Sequence, residues 1–251
     1  MKVAIVTGAS SGIGQGAAVA IAKRGVGVIL TYGANRQGAL DTVAAIEKEG
    51  GTAVALPLDV GETAGFPAFR ASVVDALSGT WQRDTFDHLV NNAGFGQMSM
   101  FEDTTEELFD KFMRVLLKGP YFLTQTLLPL MADGAVVNVT SNSALSTGVE
   151  AGYSAYATMK GGLTVLTRYM AKEFSRRGIR VNAVAPGSTR TRISDDAFER
   201  FPEVIEPIEA KTAFGRVGEP EDIGMMIATL VSEESRWITA QSIEVSGGYG
   251  L

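Results

Sequence analysis

Short, mainly apolar runs rich in Val, Ile and Ala recur along the chain, separated by longer stretches whose apolar residues return every three or four positions. The runs fall at 3–7, 26–31, 53–58, 88–91, 135–139, 180–184 and 242–245. Being mainly apolar rather than alternating, they read as parallel strands covered on both faces. Helix-length segments lie between them, among them 13–24, 37–49, 106–131, 156–176 and 221–231. Strand–helix alternation requires crossover connections, which predicts an α/β doubly wound fold: a central parallel sheet of about seven strands with helices on both faces. Asn35 can cap the second helix, Gly50-Gly51 can end it, and Pro220 suits the first turn of the last. No linker or repeat divides the chain, so one domain spanning 1–251 is expected.

Composition narrows the function. The chain has 251 residues, 22 Lys+Arg against 28 Asp+Glu, no Cys and one His, with a formal net charge of −6. An acidic balance argues against a nucleic-acid partner. Without Cys there is no disulfide, thiolate nucleophile or Cys-ligated zinc, and His88 alone cannot build a His-rich metal site, so no metal is expected. His88, beside Asp87, reads as a packed histidine. No apolar run approaches the ~20 residues that span a bilayer, and the N-terminus reads as a strand entering a glycine turn. A soluble, cytoplasmic protein is expected.

That turn is Thr7-Gly8-Ala9-Ser10-Ser11-Gly12-Ile13-Gly14. Glycines there allow a tight turn and close ligand approach, and the following helix N-terminus offers free N–H groups to a pyrophosphate. The strand–loop–helix context favours a Rossmann-type dinucleotide site over a simple βα turn. The spacing, Gly-x-x-x-Gly-x-Gly after Thr, resembles the short-chain dehydrogenase/reductase family. Asn91-Asn92-Ala93-Gly94, Tyr156-Ala157-Thr158-Met159-Lys160 and Pro186-Gly187 match further motifs of that family in order, over essentially the whole chain. The likeness extends to its 3-oxoacyl-acyl-carrier-protein reductase and glucose-dehydrogenase-like members.

The resemblance implies hydride transfer between a nicotinamide cofactor and a small ketone or alcohol, with Tyr156 as acid and base, Lys160 beside it and a serine on the substrate oxygen. Residues four apart share a helix face, so Lys160 can act on the phenol. Bringing a phenol from a pKa of about 10 to near 7 needs ~4 kcal/mol, which a cation ~4 Å away at an effective dielectric of ~20 supplies. Ser141 ends the fifth strand and best matches the family serine; Ser143, thirteen residues before Tyr156 rather than fifteen, stays open. Asn138-Val139-Thr140 lies in a buried strand and is not expected to carry a glycan.

One position departs from the family. Its active-site asparagine, thought there to hold a water leading to the lysine, aligns with Leu116 in Val115-Leu116-Leu117-Lys118-Gly119-Pro120. Leucine cannot hydrogen-bond. Either the relay is rerouted, with water held by main-chain carbonyls, or turnover is weak or lost.

By resemblance, Gly8, Ser10, Ser11, Gly12, Ile13 and Gly14 hold the pyrophosphate. Asp59, Val60, Asn91, Ala93 and Gly94 hold the adenosine, and Pro186, Gly187, Thr189 and Thr191 the nicotinamide. Asp59 also reads as a turn residue, and Asn182 as structural. Tyr32 stands where NAD-preferring folds place an acid, and Ser11, Asn35 and Arg36 can meet a 2′-phosphate, which favours NADP(H) over NAD(H). Residues 188–212, with Asp195, Asp196, Phe198, Phe201 and Pro202, are expected to form a substrate lid. Few basic residues besides Arg176 and Arg177 could meet an acidic carrier. The tail at 240–248 resembles the strand with which the family builds homotetramers. Outside that chemistry stand a dinucleotide-binding sensor without turnover and a Rossmann enzyme doing epimerisation or dehydration.

Overall fold

Two buried faces explain the mainly apolar strands. In the computed structural model, which describes residues 1–192 and 197–251, seven strands form one sheet: β1 Val3–Val6, β2 Gly27–Tyr32, β3 Ala53–Pro57, β4 Phe86–Asn91, β5 Met131–Val139, β6 Ile179–Pro186 and β7 Ser242–Val245. Asp195 and Asp196 of the expected lid lie outside the described residues. Every pairing is parallel, in the order β3-β2-β1-β4-β5-β6-β7.

Side chains alternate between the two faces. Ala4, Val6, Val28, Leu30, Val90, Val137 and Val184 pack against helices α1 (Gly12–Ala22), α2 (Arg36–Lys48) and a late helix, α9 (Pro220–Val231). Val3, Ile5, Ile29, Leu89, Val136 and Val181 face the opposite layer: α3 (Phe66–Trp81), α5 (Gly119–Leu127) and α6 (Ser154–Phe174). α3 was not among the segments singled out above, although Phe66, Phe69, Val73 and Leu77 form its buried stripe.

Local chemistry sets the boundaries. Asn35 Oδ1 accepts from the Gly38 N–H at 3.0 Å, capping α2. Asp222 Oδ2 accepts from the Glu219 N–H at 2.8 Å before α9. His88 is buried, its Nδ1 accepting from the Ala135 N–H at 3.2 Å, and desolvation lowers its pKa to about 4.

The expected continuous helix over 106–131 is interrupted. It forms α4 (Glu106–Met113), a π-helical turn Arg114–Lys118 and α5, and Met131 already opens β5. Pro120 has no N–H to give the carbonyl of Leu116 four residues earlier, which breaks the regular ladder. At Gly119 a Cβ would stand 2.3 Å from the Val60 carbonyl oxygen, so the backbones touch there. Two short helices, α7 (Ala197–Arg200) and α8 (Ile205–Lys211), follow in the expected lid. No helix among the described residues is long and apolar enough to cross a membrane.

Candidate active site

The strand order reverses between β1 and β4, and the loops leaving their C-terminal ends meet there, where open α/β sheets bind ligands. Thr7 is the clamp. Its hydroxyl donates to the Val90 carbonyl at 3.1 Å and accepts from the N–H groups of Asn92 at 2.9 Å and Ala93 at 3.0 Å. Asn92 Nδ2 donates to the carbonyls of Thr7 at 2.9 Å and Gly8 at 3.2 Å. Neither residue was in the expected contact set, although Thr7 closes the first strand and Asn92 lies inside a quoted motif.

This lattice leaves a backbone cradle. A Cβ at Gly8, where φ is +65°, would sit 2.8 Å from Ala93 Cα, and one at Gly14 would sit 2.4 Å from the Gly8 oxygen. The N-cap residue Ser11 spends no side-chain bond on α1, whose first N–H groups point outward from Gly12 and Ile13. Glycine at these positions and an uncapped, partly positive helix end fit a pyrophosphate. Ser10 joins the next loop, its carbonyl accepting from Asn35 Nδ2 at 3.4 Å. Tyr32 is half-buried at the end of β2, and Arg36 is exposed at the start of α2.

The other expected contacts are distributed unevenly. Asp59 is exposed, and its Oδ1 accepts from the Gly61 N–H at 2.8 Å, a turn bond; Val60 is buried. Asn91 turns its amide into the sheet, Nδ2 donating to Thr124 Oγ1 at 3.1 Å and Asn138 Oδ1 at 2.9 Å. Only its main chain can face a ligand. Ala93 and Gly94 border the cradle. Beyond β6, the Gly187 N–H donates to the Val245 carbonyl at 3.1 Å, just past the buried Pro186. Thr189 donates back to the Gly187 carbonyl at 3.0 Å, while Thr191 Cγ2 would lie 3.1 Å from a Cβ at Gly12. Thr191 is therefore the one that meets the phosphate loop. Asn182 is structural, bridging the Ile238 carbonyl at 2.9 Å and the Gln241 N–H at 3.1 Å.

Beside the cradle, β5 and α6 bring three polar side chains into an apolar nest. Ser141 stands close enough to Tyr156 to ease its ionisation, and the tyrosine ring meets Phe112 and Tyr153 edge-on at 6.1 and 6.3 Å. Ser143 contributes its N–H to Ser141 Oγ at 3.1 Å, and Ser141 is the serine that acts on the phenol's pKa. Lys160 Nζ donates to the Val139 carbonyl at 2.7 Å and lies 5.8 Å from the centre of the Tyr156 ring.

A matching family model, described as Enoyl-(Acyl carrier protein) reductase, spans residues 8–250. The chain belongs to the short-chain dehydrogenase/reductase family. It is 35% identical to an L-rhamnose 1-dehydrogenase (NAD(P)(+)) of Azotobacter vinelandii, over 98% of this chain and 96% of the relative. Among solved structures, the promiscuous reductase LugOII, which catalyses keto-reduction at C1 during lugdunomycin biosynthesis, superposes with a TM-score of 0.94. It is 36% identical and covers 100% of this chain and 98% of its own. The landomycin C-6 ketoreductase LanV with bound NADP and rabelomycin gives 0.88 at 32% identity, covering 98% and 95%. As a short-chain dehydrogenase/reductase, the chain is an oxidoreductase working between alcohol and carbonyl.

Two features of this short-chain dehydrogenase/reductase bear on its chemistry, the first of them against the sequence-based expectation. Acidification of Tyr156 by Lys160 does not appear in the protein alone. Burial pushes the phenol up to about 12, Ser141 only partly offsetting it, and burial also lowers Lys160 to about 8. Desolvation opposes both the phenolate and the ammonium, and the ammonium is anchored on Val139 rather than on the phenol. The other feature is Leu116, 1% exposed on the π-helical turn among Phe112, Tyr156 and Met159. A Cβ at Gly94 would lie 3.0 Å from Leu116 Cδ2 and 3.9 Å from Lys160 Nζ, so leucine fills the space next to the lysine.

Proposed function

We propose that this chain is an NADP(H)-dependent oxidoreductase interconverting a small-molecule ketone and its alcohol, with Tyr156 as the acid and base. The observation that carries the reading is the burial together of Ser141, Tyr156 and Lys160, with Lys160 Nζ 5.8 Å from the Tyr156 ring centre and Ser141 acting on its phenol. Two hydroxyls converging on one point suit a carbonyl oxygen. When bound, the reduced nicotinamide supplies hydride to the carbonyl carbon. Tyr156 gives its proton to the oxygen as charge develops there, and Ser141 donates a hydrogen bond to the same atom. An alkoxide is a stronger base than a phenolate, so a phenol held near 12 still surrenders its proton and suits the reductive direction. Lys160, fixed on Val139, then faces the phenolate that is left.

In this reading the cradle from Gly8 to Gly14, with Ser10 and Ser11, takes the pyrophosphate. Asp59, Val60, the Asn91 main chain, Ala93 and Gly94 take the adenosine, and Pro186, Gly187, Thr189 and Thr191 the nicotinamide. NADP(H) is favoured because Tyr32 replaces an acid and Arg36 stands exposed beside it. The NADP in LanV and the NAD(P) in the rhamnose dehydrogenase's name support the dinucleotide, and the keto-reduction of LugOII and LanV the chemistry. The described part of 188–212 serves as the lid, and the protein works as a cytoplasmic homotetramer.

Leu116 favours a second reading, a dinucleotide-binding protein with weak or lost turnover. The experiment is NADPH oxidation over a panel of ketones, aldehydes, sugars and acyl thioesters. Turnover with one of them, cut by about 10²–10⁴ in Tyr156→Phe with NADPH binding retained, is the expected result. NADPH binding without turnover anywhere, unchanged in Leu116→Asn, selects the second reading.

A further inference from the structure

Between the segment after β4 and the turn before α6 lies an open recess of about 260 Å³. Its large wall residues are Met100, Phe101, Val149 and Tyr153. Tyr153 and Ser143 of this wall connect it to the reacting pair, through the ring contact with Tyr156 and the N–H bond to Ser141 described above. The two sides are pinned together by the Ser99 N–H donating to the Gly152 carbonyl at 2.8 Å. Met98 and Met100 lie over Gly152, with sulfurs 3.4 and 3.7 Å from where its Cβ would be. Phe101 and Val149 are 83% and 76% exposed, apolar surface concentrated at the mouth of a cleft that a ligand would cover.

Charge points the same way. The ionisable acids on the wall are Glu102 and Glu150, and the Glu150 carboxylate is engaged by Lys211 at 2.6 Å and the Tyr249 hydroxyl at 2.9 Å. Among the described residues lining the recess there is no Lys, Arg or His. A phosphate, a carboxylate or an acidic carrier would meet like charge, and a polyol would meet mostly carbon. Thioethers and aromatic rings instead suit the faces of a flat ring system. A cavity of about 150 Å³ admits one benzene ring, so 260 Å³ admits two fused rings, and the open side lets further rings reach solvent.

We propose that the substrate is an uncharged ketone carried on a fused system of two or more rings, seated on Met100, Phe101, Val149 and Tyr153 with its carbonyl at Ser141 and Tyr156. The inference rests on the carbonyl-reduction reading. Its test compares NADPH oxidation with 2-tetralone, butanone and acetoacetyl-coenzyme A, beside calorimetric titration of 2-naphthol into protein saturated with NADP⁺. The expected kcat/KM for the tetralone exceeds both others at least tenfold. Val149→Asp should raise the tetralone KM and the naphthol Kd at least fivefold, with NADP⁺ affinity within twofold. Preference for butanone or the thioester overturns the substrate class and leaves carbonyl reduction standing, as does a Val149→Asp variant with unmoved KM and naphthol binding. Turnover of none of the three overturns this substrate class, and the broader panel above decides separately whether carbonyl reduction stands.

Discussion

Replacing Lys160 by methionine should remove activity and, in the protein without dinucleotide, raise stability. The lysine is 4% exposed and its pKa falls from 10.5 to about 8 through burial. That gap amounts to about 3 kcal/mol held against folding at neutral pH. Below pH 8 both folded and unfolded chains carry the proton, and the folded state bears the full cost. Between 8 and 10.5 the folded chain releases its proton first, so unfolding takes one up and stability rises with pH. Above 10.5 both are neutral and the cost is gone. Methionine matches the length, fills the slot and carries no charge, but it cannot donate to the Val139 carbonyl, which loses the 2.7 Å bond at ~1 kcal/mol. The net is about 2 kcal/mol in favour of the variant at pH 7, or ~4–8 °C in Tm for a chain this long. Thermal unfolding of both proteins at pH 7 and pH 10 reads it, with the advantage shrinking at the higher pH. A variant less stable at pH 7, or a difference indifferent to pH, would refute the view that desolvation dominates at this lysine.

Other perturbations test other parts of the site. Gly14→Ala drives a Cβ to 2.4 Å from the Gly8 carbonyl oxygen; because backbone must move, the Kd for dinucleotide should rise at least tenfold while the far-ultraviolet spectrum is kept. Arg36→Glu should weaken NADPH by tenfold or more and leave NADH within a few-fold, read by fluorescence titration; equal losses for both would dissociate Arg36 from the 2′-phosphate. His88 is held neutral with a pKa of about 4 against an ordinary 6.5. As pH falls from 6.5 towards 4 the unfolded chain protonates first, so stability should fall by up to ~3 kcal/mol in that window. His88→Gln should flatten that part of a denaturant-midpoint profile.

Most of the architecture was legible because both sheet faces are covered: strands such as Val3–Val6 and Val28–Leu30 have no polar side to disguise them. What the pattern could not show is the break in the helix at 114–118. Apolar periodicity is blind to whether Pro120 withholds one hydrogen bond and whether Gly119 touches the Val60 backbone, and those two contacts shape the turn that carries Leu116. The motif residues were readable, but their directions were not. Asn91 and Asn92 are adjacent, and β-strand alternation sends one into the sheet towards Thr124 and Asn138 and the other to the Gly8 carbonyl. The choice between Ser141 and Ser143 turns on the same point, since counting back from Tyr156 ignores that Ser141 is still extended while Ser143 sits in the turn after it. The electrostatics of Tyr156 and Lys160 were least legible. Spacing gives proximity; only burial gives the sign of each shift.

That sign connects fold to chemistry. The strand ends that build the site are crowded with polar groups in an apolar interior: Asn138 bridges Asn91 and Thr167, Thr7 ties β1 to β4, and Lys160 hangs from Val139. The Asn91 Oδ1 is buried there without a partner among the described residues. Each such group opposes burial unless it is bonded, so these bonds are what hold the ends of β1, β4 and β5 in register around the cradle. A phenol biased towards its proton and a lysine biased towards losing its own reflect the same dry environment, which raises the energy of the charged lysine while leaving the neutral phenol at rest. A carbonyl oxygen that gains negative charge beside them would give the phenol an acceptor for its proton and leave the ammonium facing a phenolate. On the proposed reading, the energy withheld from the free protein at Lys160 becomes transition-state interaction in the loaded one, so the lysine that destabilises the free fold should be one that activity can hardly do without.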